Sequence, residues 1–222
     1  MRTSDFDYDL PAELIAQQPA MARDQSRLMV LHRSDGRLEH RSFGDLLGYL
    51  QPGDVLVLNN SKVIPARLRG VNPATGGRFE LLLLEEHAVN DWDAMLKPGK
   101  RARLHTRIAI TDRHGKVSGV DATVVGKNDE GHRRLKFSGA ADIMDVLAEL
   151  GEVPLPPYIK RSPESQLDED SVRYQTVYAA VAGSVAAPTA GLHFTPQLLD
   201  QLRQRGVEVC SVTLHVGLGT FA

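Results

Sequence analysis

Cysteine is almost missing from this chain: Cys210 is the single one in 222 residues. An internal disulfide is therefore excluded, and so is a cysteine-rich zinc site. Its setting, Val209-Cys210-Ser211-Val212, predicts an inert thiol packed in a core strand. Long apolar runs are missing too. No stretch approaches the roughly 20 apolar residues that span a bilayer. The opening Met1-Arg2-Thr3-Ser4-Asp5-Phe6-Asp7-Tyr8 lacks the apolar segment of a signal peptide. These absences lead to the expectation of a cytoplasmic protein with no membrane partner. No strand runs into a G-x-G-x-x-G with a following acidic residue, which excludes a Rossmann dinucleotide site. There is no Walker loop, no G-x-S-x-G elbow and no His/Cys/carboxylate spacing suited to a metal, so no metal is expected. Internal repeats and low-complexity tracts are absent as well.

What is present is an ordinary globular composition, 42% hydrophobic and 24% charged, in a chain long enough for one large or two small cores. The net charge of −2 conceals an asymmetry. Residues 97–136 hold eleven Lys and Arg against four acids (+7), which leaves −9 for the rest. A local basic excess suits either a polyanionic partner or the solvated outer face of a small sheet.

Leu28–His32 and Arg37–Arg41 flank Ser34-Asp35-Gly36 as a hairpin. Ser42 caps a short helix over 43–50, and Val55–Leu58 is a continuous apolar strand. After Pro65 come six short strand-like segments: Ala66–Arg69, Arg78–Glu85, Trp92–Leu96, Arg103–Ile110, Val117–Val125 and His132–Phe137. Turn signals separate them with no helix between, which predicts an antiparallel barrel or sandwich. A helix is expected over Ala141–Leu150, stopped by Gly151. Val153-Pro154-Leu155-Pro156-Pro157-Tyr158-Ile159 is too proline-rich for a helix interior or a central strand, and serves as a stiff link back. From Tyr174 onward the order is strand, small-residue loop, helix, strand. The expected fold is an α/β domain, three-layered with a mostly parallel sheet, carrying an inserted small antiparallel β-barrel. The boundaries are 1–65, 66–152 for the barrel with its trailing helix, and 153–222.

The most informative stretch is Gly183-Ser184-Val185-Ala186-Ala187-Pro188-Thr189-Ala190-Gly191-Leu192-His193-Phe194-Thr195. Thr195-Pro196 fits an N-cap and first helical position, with Leu198, Leu199 and Leu202 at helical spacing and Gly206 as the stop. Such a loop is expected to leave backbone N–H groups free and to admit a ligand close to the backbone. His193 lies in the loop after one strand and His215 at the end of the next. Two histidines at one sheet edge suit proton transfer near neutral pH, or simply satisfy loop carbonyls. Lys160 and Arg161 follow the proline segment, while Lys62 and Arg67 bracket entry to the inserted domain. Clefts between domains are favoured ligand sites. Tyr174, Gln175, Thr176 and Tyr178 offer hydroxyl and amide groups with a stacking face. Gly217-Leu218-Gly219 on its own is a weak nucleotide-loop fragment.

Several motifs together give the chain a resemblance. They are Phe6-Asp7-Tyr8-Asp9-Leu10-Pro11, Arg23-Asp24 with Ser26-Arg27-Leu28, Val63-Ile64-Pro65-Ala66-Arg67-Leu68, and Leu155-Pro156-Pro157-Tyr158-Ile159. Tyr174-Gln175-Thr176-Val177-Tyr178-Ala179, the Gly183–Thr195 run and Thr213-Leu214-His215-Val216-Gly217 complete the set. The chain is identified as similar, over its whole length, to the S-adenosylmethionine:tRNA ribosyltransferase-isomerase family of queuosine biosynthesis. At Asn60-Ser61-Lys62 it departs from a family pattern that more often has Asp-Thr-Arg.

The resemblance implies a reaction in which the ribosyl part of S-adenosylmethionine is joined to the aminomethyl-7-deazaguanine base of a tRNA anticodon. Epoxyqueuosine-tRNA forms, and adenine and methionine leave. No metal or cofactor beyond S-adenosylmethionine is implied. His193 and His215 are the implied proton carriers. Arg67, Lys160, Arg161, Tyr174, Gln175, Thr176, Pro188, Thr189, Ala190, Gly191, Phe194 and Gly217 would bind substrate. Lys97, Lys100, Arg101 and Arg103 would bind tRNA, and a monomer is expected. The family ordinarily continues past Phe221 with a further His-rich segment. A truncated, non-catalytic fragment that binds tRNA through its basic barrel is therefore the alternative. An S-adenosylmethionine methyltransferase is a weaker rival, since the usual glycine-rich loop is absent.

Overall fold

The computed structural model describes residues 1–161 and 167–217, side chains of Leu167 and Asp168 excepted. Leu218, Gly219 and Thr220, which complete the glycine motif after Gly217, lie outside the described residues.

The chain opens with a hairpin of β1 (Arg27–Leu31) and β2 (Leu38–Ser42). The expected helix after Ser42 is a 3-10 helix, Phe43–Gly48, with Ser42 N donating to Asp45 Oδ2 at 2.9 Å. Gly44 and Gly48 lower its helix propensity, and a run this short favours the tighter winding.

Strands β5 (Arg67–Val71), β6 (Arg78–Ala88), β7 (Asp91–Lys97), β8 (Arg107–Thr111), β9 (Val117–Lys127) and β10 (Arg133–Ser138) close into a barrel ordered β10-β7-β6-β5-β8-β9. Every neighbouring pair is antiparallel. Alternation drives the closure, because Leu68, Leu81, Leu83, Ile108, Ile110 and Leu135 point inward and are fully buried. The strand expected from Arg103 begins only at Arg107. Thr106 N turns back to Arg103 O at 3.0 Å, and His105 takes a left-handed φ of 64°.

Helix α1 (Ile143–Leu150) packs Ile143, Leu147 and Leu150 into the same core. Asp142 caps it by accepting from Met144 N at 2.9 Å. Arg113, from the β8–β9 hairpin, donates to the carbonyls of Ala148 and Gly151 at its other end. Position 151 must be glycine, since a Cβ there would stand 1.9 Å from Pro65 O. The chain leaves and re-enters the α/β part side by side: Arg67 N donates to Glu152 O at 3.1 Å and Glu152 N to Arg67 O at 2.8 Å.

The α/β part is built on one extended run. Its first half, β3 (Val55–Asn59), pairs in parallel with β12 (Glu208–Val212). Its second half, β4 (Ser61–Val63), pairs in parallel with β11 (Val181–Ser184). The change of partner falls at Asn60, whose N–H donates to Val212 O at 2.9 Å while its carbonyl accepts from Ala180 N at 2.8 Å. Side chains fix the junction. Asn59 exchanges two hydrogen bonds with the Leu214 backbone, and Thr213 Oγ1 lies 2.7 Å from Asn60 Oδ1. Beyond Val212 the chain bonds to β11 instead, Val185 N donating to Val216 O at 3.1 Å. Two short ladders thus take the place of a continuous parallel sheet.

Helix α3 (Pro196–Gln204) lays Leu198, Leu199 and Leu202 on Phe43, Leu58, Phe194 and Val207. Gly206, at φ +87°, follows its end. Helix α2 (Leu167–Arg173) precedes Tyr174, which packs with Val63 and Ala187. Cys210 is half-buried rather than in a core, because β12 presents it away from the Val209 face that meets α3. Among the described residues no helix is long and apolar enough to cross a membrane.

Candidate functional site

The Gly183–Thr195 run forms the end of β11, a buried stretch over Ser184–Ala187, and a 3-10 turn over Thr189–His193. Thr195 Oγ1 accepts from Leu198 N at 3.1 Å and Thr195 O from Leu199 N at 3.2 Å, while Pro196 has no N–H to offer. The first donor of α3, Leu198 N, is therefore spent on the helix's own cap. The two glycines also make room for side chains. A Cβ on Gly191 would lie 2.0 Å from the Tyr178 hydroxyl, and one on Gly183 would lie 2.9 Å from the His215 ring.

His193 sits with its ring 5.2 Å from that of Phe43. Burial pushes its pKa below the ordinary 6.5, against an opposing hydrogen bond to the Arg23 backbone; the Arg23 charge lowers it further. At neutral pH the imidazole is uncharged and able to accept a proton. Arg23, noticed in the sequence only as part of a motif, donates to Leu192 O at 2.9 Å and Val172 O at 2.8 Å, tying the turn to α2. His215 is exposed and stands on Gly183. Among the described residues no hydrogen bond or ring contact joins it to His193. Phe194 stacks edge-on with Phe43 at 5.0 Å inside the core.

Gln175 bridges both backbone groups of Val63, accepting from its N–H at 3.2 Å and donating to its carbonyl at 3.1 Å. It mimics a strand partner. Thr176 is buried with its hydroxyl unpartnered. Burial pushes the Tyr174 hydroxyl pKa up, with an opposing hydrogen bond to the Ala187 backbone. Arg161 is engaged internally: it grips Asp170 with two bonds of 2.8 and 2.9 Å and donates to Gln17 O at 2.8 Å. Lys160 is held through its backbone, which donates to Gln17 Oε1 at 2.7 Å, and its side chain is exposed.

The proline segment lines three adjoining hollows between the barrel and the α/β part. A hollow of about 260 Å³ lies among Gln17, Tyr158, Arg161, Tyr174, Thr189 and Leu192. One of about 330 Å³ adjoins it through Arg161, Asp170 and Pro156 and reaches Arg67, Glu80 and Lys97. A third, about 190 Å³, holds Arg67, Glu80, Leu82, Met95 and Leu155. At this end the hollows meet an acid-free loop over 97–107. Lys97, Lys100, Arg101 and Arg103 are all exposed there, and among the described residues none of their side chains has a hydrogen bond or ion pair. Arg133 secures the loop from below, donating to Ala102 O at 2.8 Å, Gly99 O at 2.9 Å and Gly131 O at 2.6 Å.

The structure thus places Arg67, Arg161, Tyr174 and Thr189 along adjoining hollows, with Lys97 of the cationic loop at one end. Pro188 and Ala190 flank Thr189 in the turn. Gly217 and His215 stand beyond the buried Ser184–Ala187 stretch. Glu80, Asp170 and Arg133 were missed by sequence reasoning, since only strand register and loop packing bring them here.

A sequence model of the family described as queuosine biosynthesis protein matches residues 3–222. A protein of Desulforamulus reducens is 52% identical and one of Symbiobacterium thermophilum 55% identical, each over 221 residues. Both bear the name S-adenosylmethionine:tRNA ribosyltransferase-isomerase. The alignments take in 100% of this chain and 62% of each relative, so the chain spans less than two thirds of their length. A crystal structure of an S-adenosylmethionine tRNA ribosyltransferase from Thermotoga maritima is 36% identical, over 96% of this chain and 59% of that one, with a TM-score of 0.38.

Proposed function

Because the chain belongs to the queuosine biosynthesis protein family, we propose that it binds S-adenosylmethionine along the Thr189–His193 turn and a tRNA on the barrel's cationic loop. The reaction is ribosyl transfer with isomerisation onto the aminomethyl-7-deazaguanine base of that tRNA. The observation that carries this reading is the run of adjoining hollows from Lys97 past Arg67 and Arg161 to Thr189 and Leu192 of the turn. Proximity of donor and acceptor is the first requirement of a two-substrate transfer.

The sulfonium of the donor acidifies its neighbouring 5′ C–H, and a neutral base must remove that proton. His193, kept uncharged by burial against Phe43, has the protonation state the step needs. His215 is the second candidate, free to move a proton at the solvent side. Phosphates of the anticodon stem would meet Lys97, Lys100, Arg101 and Arg103.

The test is calorimetric titration with S-adenosylmethionine, followed by an assay of adenine release on precursor tRNA. Saturable binding with adenine release supports the reading. Loss of release by more than about a hundredfold in His193→Ala fits a general base, whereas turnover within about threefold of wild type in both His193→Ala and His215→Ala removes the assignment. Binding of tRNA without adenine release favours the alternative, a non-catalytic tRNA-binding fragment.

A further inference from the structure

The outer face of the barrel carries an anomaly. Outward positions on barrel strands are ordinarily polar, yet Leu82 and Met95 stand next to one another there, with Arg67 completing their row across β5, β6 and β7. The next row is Arg69, Glu80 and Lys97. Leu155 and Pro157 of the proline segment face this platform, leaving the 190 Å³ slot described above. Its floor and wall are apolar, and its polar groups lie along one edge.

Those polar groups are only partly engaged: Arg67 Nη2 donates to Leu155 O at 3.5 Å, and Arg67 and Glu80 form a loose ion pair. Arg67 Nε is buried without a hydrogen bond, the Glu80 carboxylate lying 3.5 Å away without bonding geometry. Glu80 has no hydrogen bond among the described residues, and Lys97 has no partner there. Arg69, by contrast, is taken by Glu152 at 3.0 Å. A buried donor that lacks a hydrogen bond costs stability, and a ligand that supplies an acceptor to Arg67 Nε and donors to Glu80 relieves that cost.

We propose that this slot is a guanine-type base subsite. Glu80 accepts from the adjacent ring N–H and exocyclic amine of the base, and Arg67 donates to its carbonyl oxygen. Lys97, at the mouth, meets a phosphate. An adenine ring would turn an unprotonated ring nitrogen toward the Glu80 carboxylate and is rejected. The inference deepens the ribosyl-transfer reading by naming the residues that select the acceptor base. Its test uses neither S-adenosylmethionine nor turnover, so the two fail separately.

The probes are 5′-GMP and 5′-AMP, titrated calorimetrically into the whole chain at low salt. A bidentate base contact gives about tenfold or more discrimination, so GMP binds at least about tenfold tighter than AMP. Glu80→Gln, an isosteric change at a half-exposed position, lowers GMP affinity by at least that factor and leaves AMP unchanged or tighter, since an amide can pair with adenine. Met95→Trp, which occludes the slot with a larger uncharged side chain at an exposed position, abolishes GMP binding while the circular dichroism spectrum and thermal midpoint stay as in wild type. Equal affinity for the two nucleotides overturns the proposal, as does no saturable binding of either at millimolar concentration. A Glu80→Gln loss that is equal for GMP and AMP also overturns it, because that pattern places ribose hydroxyls rather than the base on Glu80.

Discussion

Gly191→Ala is expected to destabilise the fold in a way that a change at Tyr178 repairs. A Cβ at 191 would stand 2.0 Å from the Tyr178 hydroxyl, 3.1 Å from the ring carbon bearing it and 3.0 Å from Thr176 Cγ2. Gly191 is buried and its φ is not left-handed, so the penalty is steric. Tyr178 cannot retreat freely, because its ring lies edge-on to Phe194 at 6.3 Å, above Phe43 and α3. Overpacking of this kind costs about 1–3 kcal/mol, which for a domain of this size lowers the melting temperature by roughly 2–4 °C per kcal/mol. Tyr178→Phe removes the atom in worst conflict and leaves the 3.1 Å approach. The double variant therefore recovers part of the loss, with a coupling of about 0.5–3 kcal/mol. Urea denaturation of the four proteins measures the cycle. An unaffected Gly191→Ala, or additive losses in the double variant, would refute the claim that this glycine exists to seat Tyr178.

Binding of tRNA should weaken linearly in log–log form as salt rises, with a slope magnitude of about 3 if the four open loop cations each meet one phosphate; Lys100→Ala should reduce it by about 0.7–0.9, as filter binding or anisotropy would show. The His193 imidazole should titrate below 6.5 by NMR. Since its folded pKa is the lower one, its contribution to stability is present above pH 6.5 and is lost as pH falls through the folded value, so urea midpoints should drop in that window and recover in His193→Gln. Val55 and Val57 are each 57% exposed on one face of β3, a strand type that proteins normally cover on both sides. Val57→Lys should reduce binding of an apolar dye and self-association by light scattering while leaving the melting temperature within about 1 °C, surface substitutions being nearly neutral.

The barrel was legible because its signals are local. Short strand-like segments such as Arg78–Glu85 and Val117–Val125, with turn signals between them, require nothing distant to be read correctly. Thr195-Pro196 announced its helix for the same reason, a cap being decided within four residues, whereas the Asp142 cap of α1 came to light only in the fold. Asn60 was opaque, because a change of strand partner depends on residues 180 and 212, far along the chain. The glycines of the 183–195 run were legible as close-approach positions but not as to what approaches, since Tyr178 and His215 reach them through tertiary packing. Nothing in the sequence singled out Glu80 or Arg133; register across three strands gives the first its setting, and three loop carbonyls give the second its task. Arg161, read in the sequence as a substrate-binding cation, is paired with Asp170 in the fold, a partner the sequence did not point to.

The paired backbone bonds between Arg67 and Glu152 bear on how the chain assembles. The barrel strands contact mostly their sequence neighbours, so this unit can close before the rest. Once it has closed, Val63 and Val153 are held near one another although the whole barrel separates them in sequence. The entropy of closing that long loop has then already been met, and β4 finds β11 across a much shorter effective chain. The inserted barrel thereby works as a covalent shortcut for the parallel ladders. Defects in its core, such as a truncation at Leu81 or Ile108, should slow the assembly of strands they never touch.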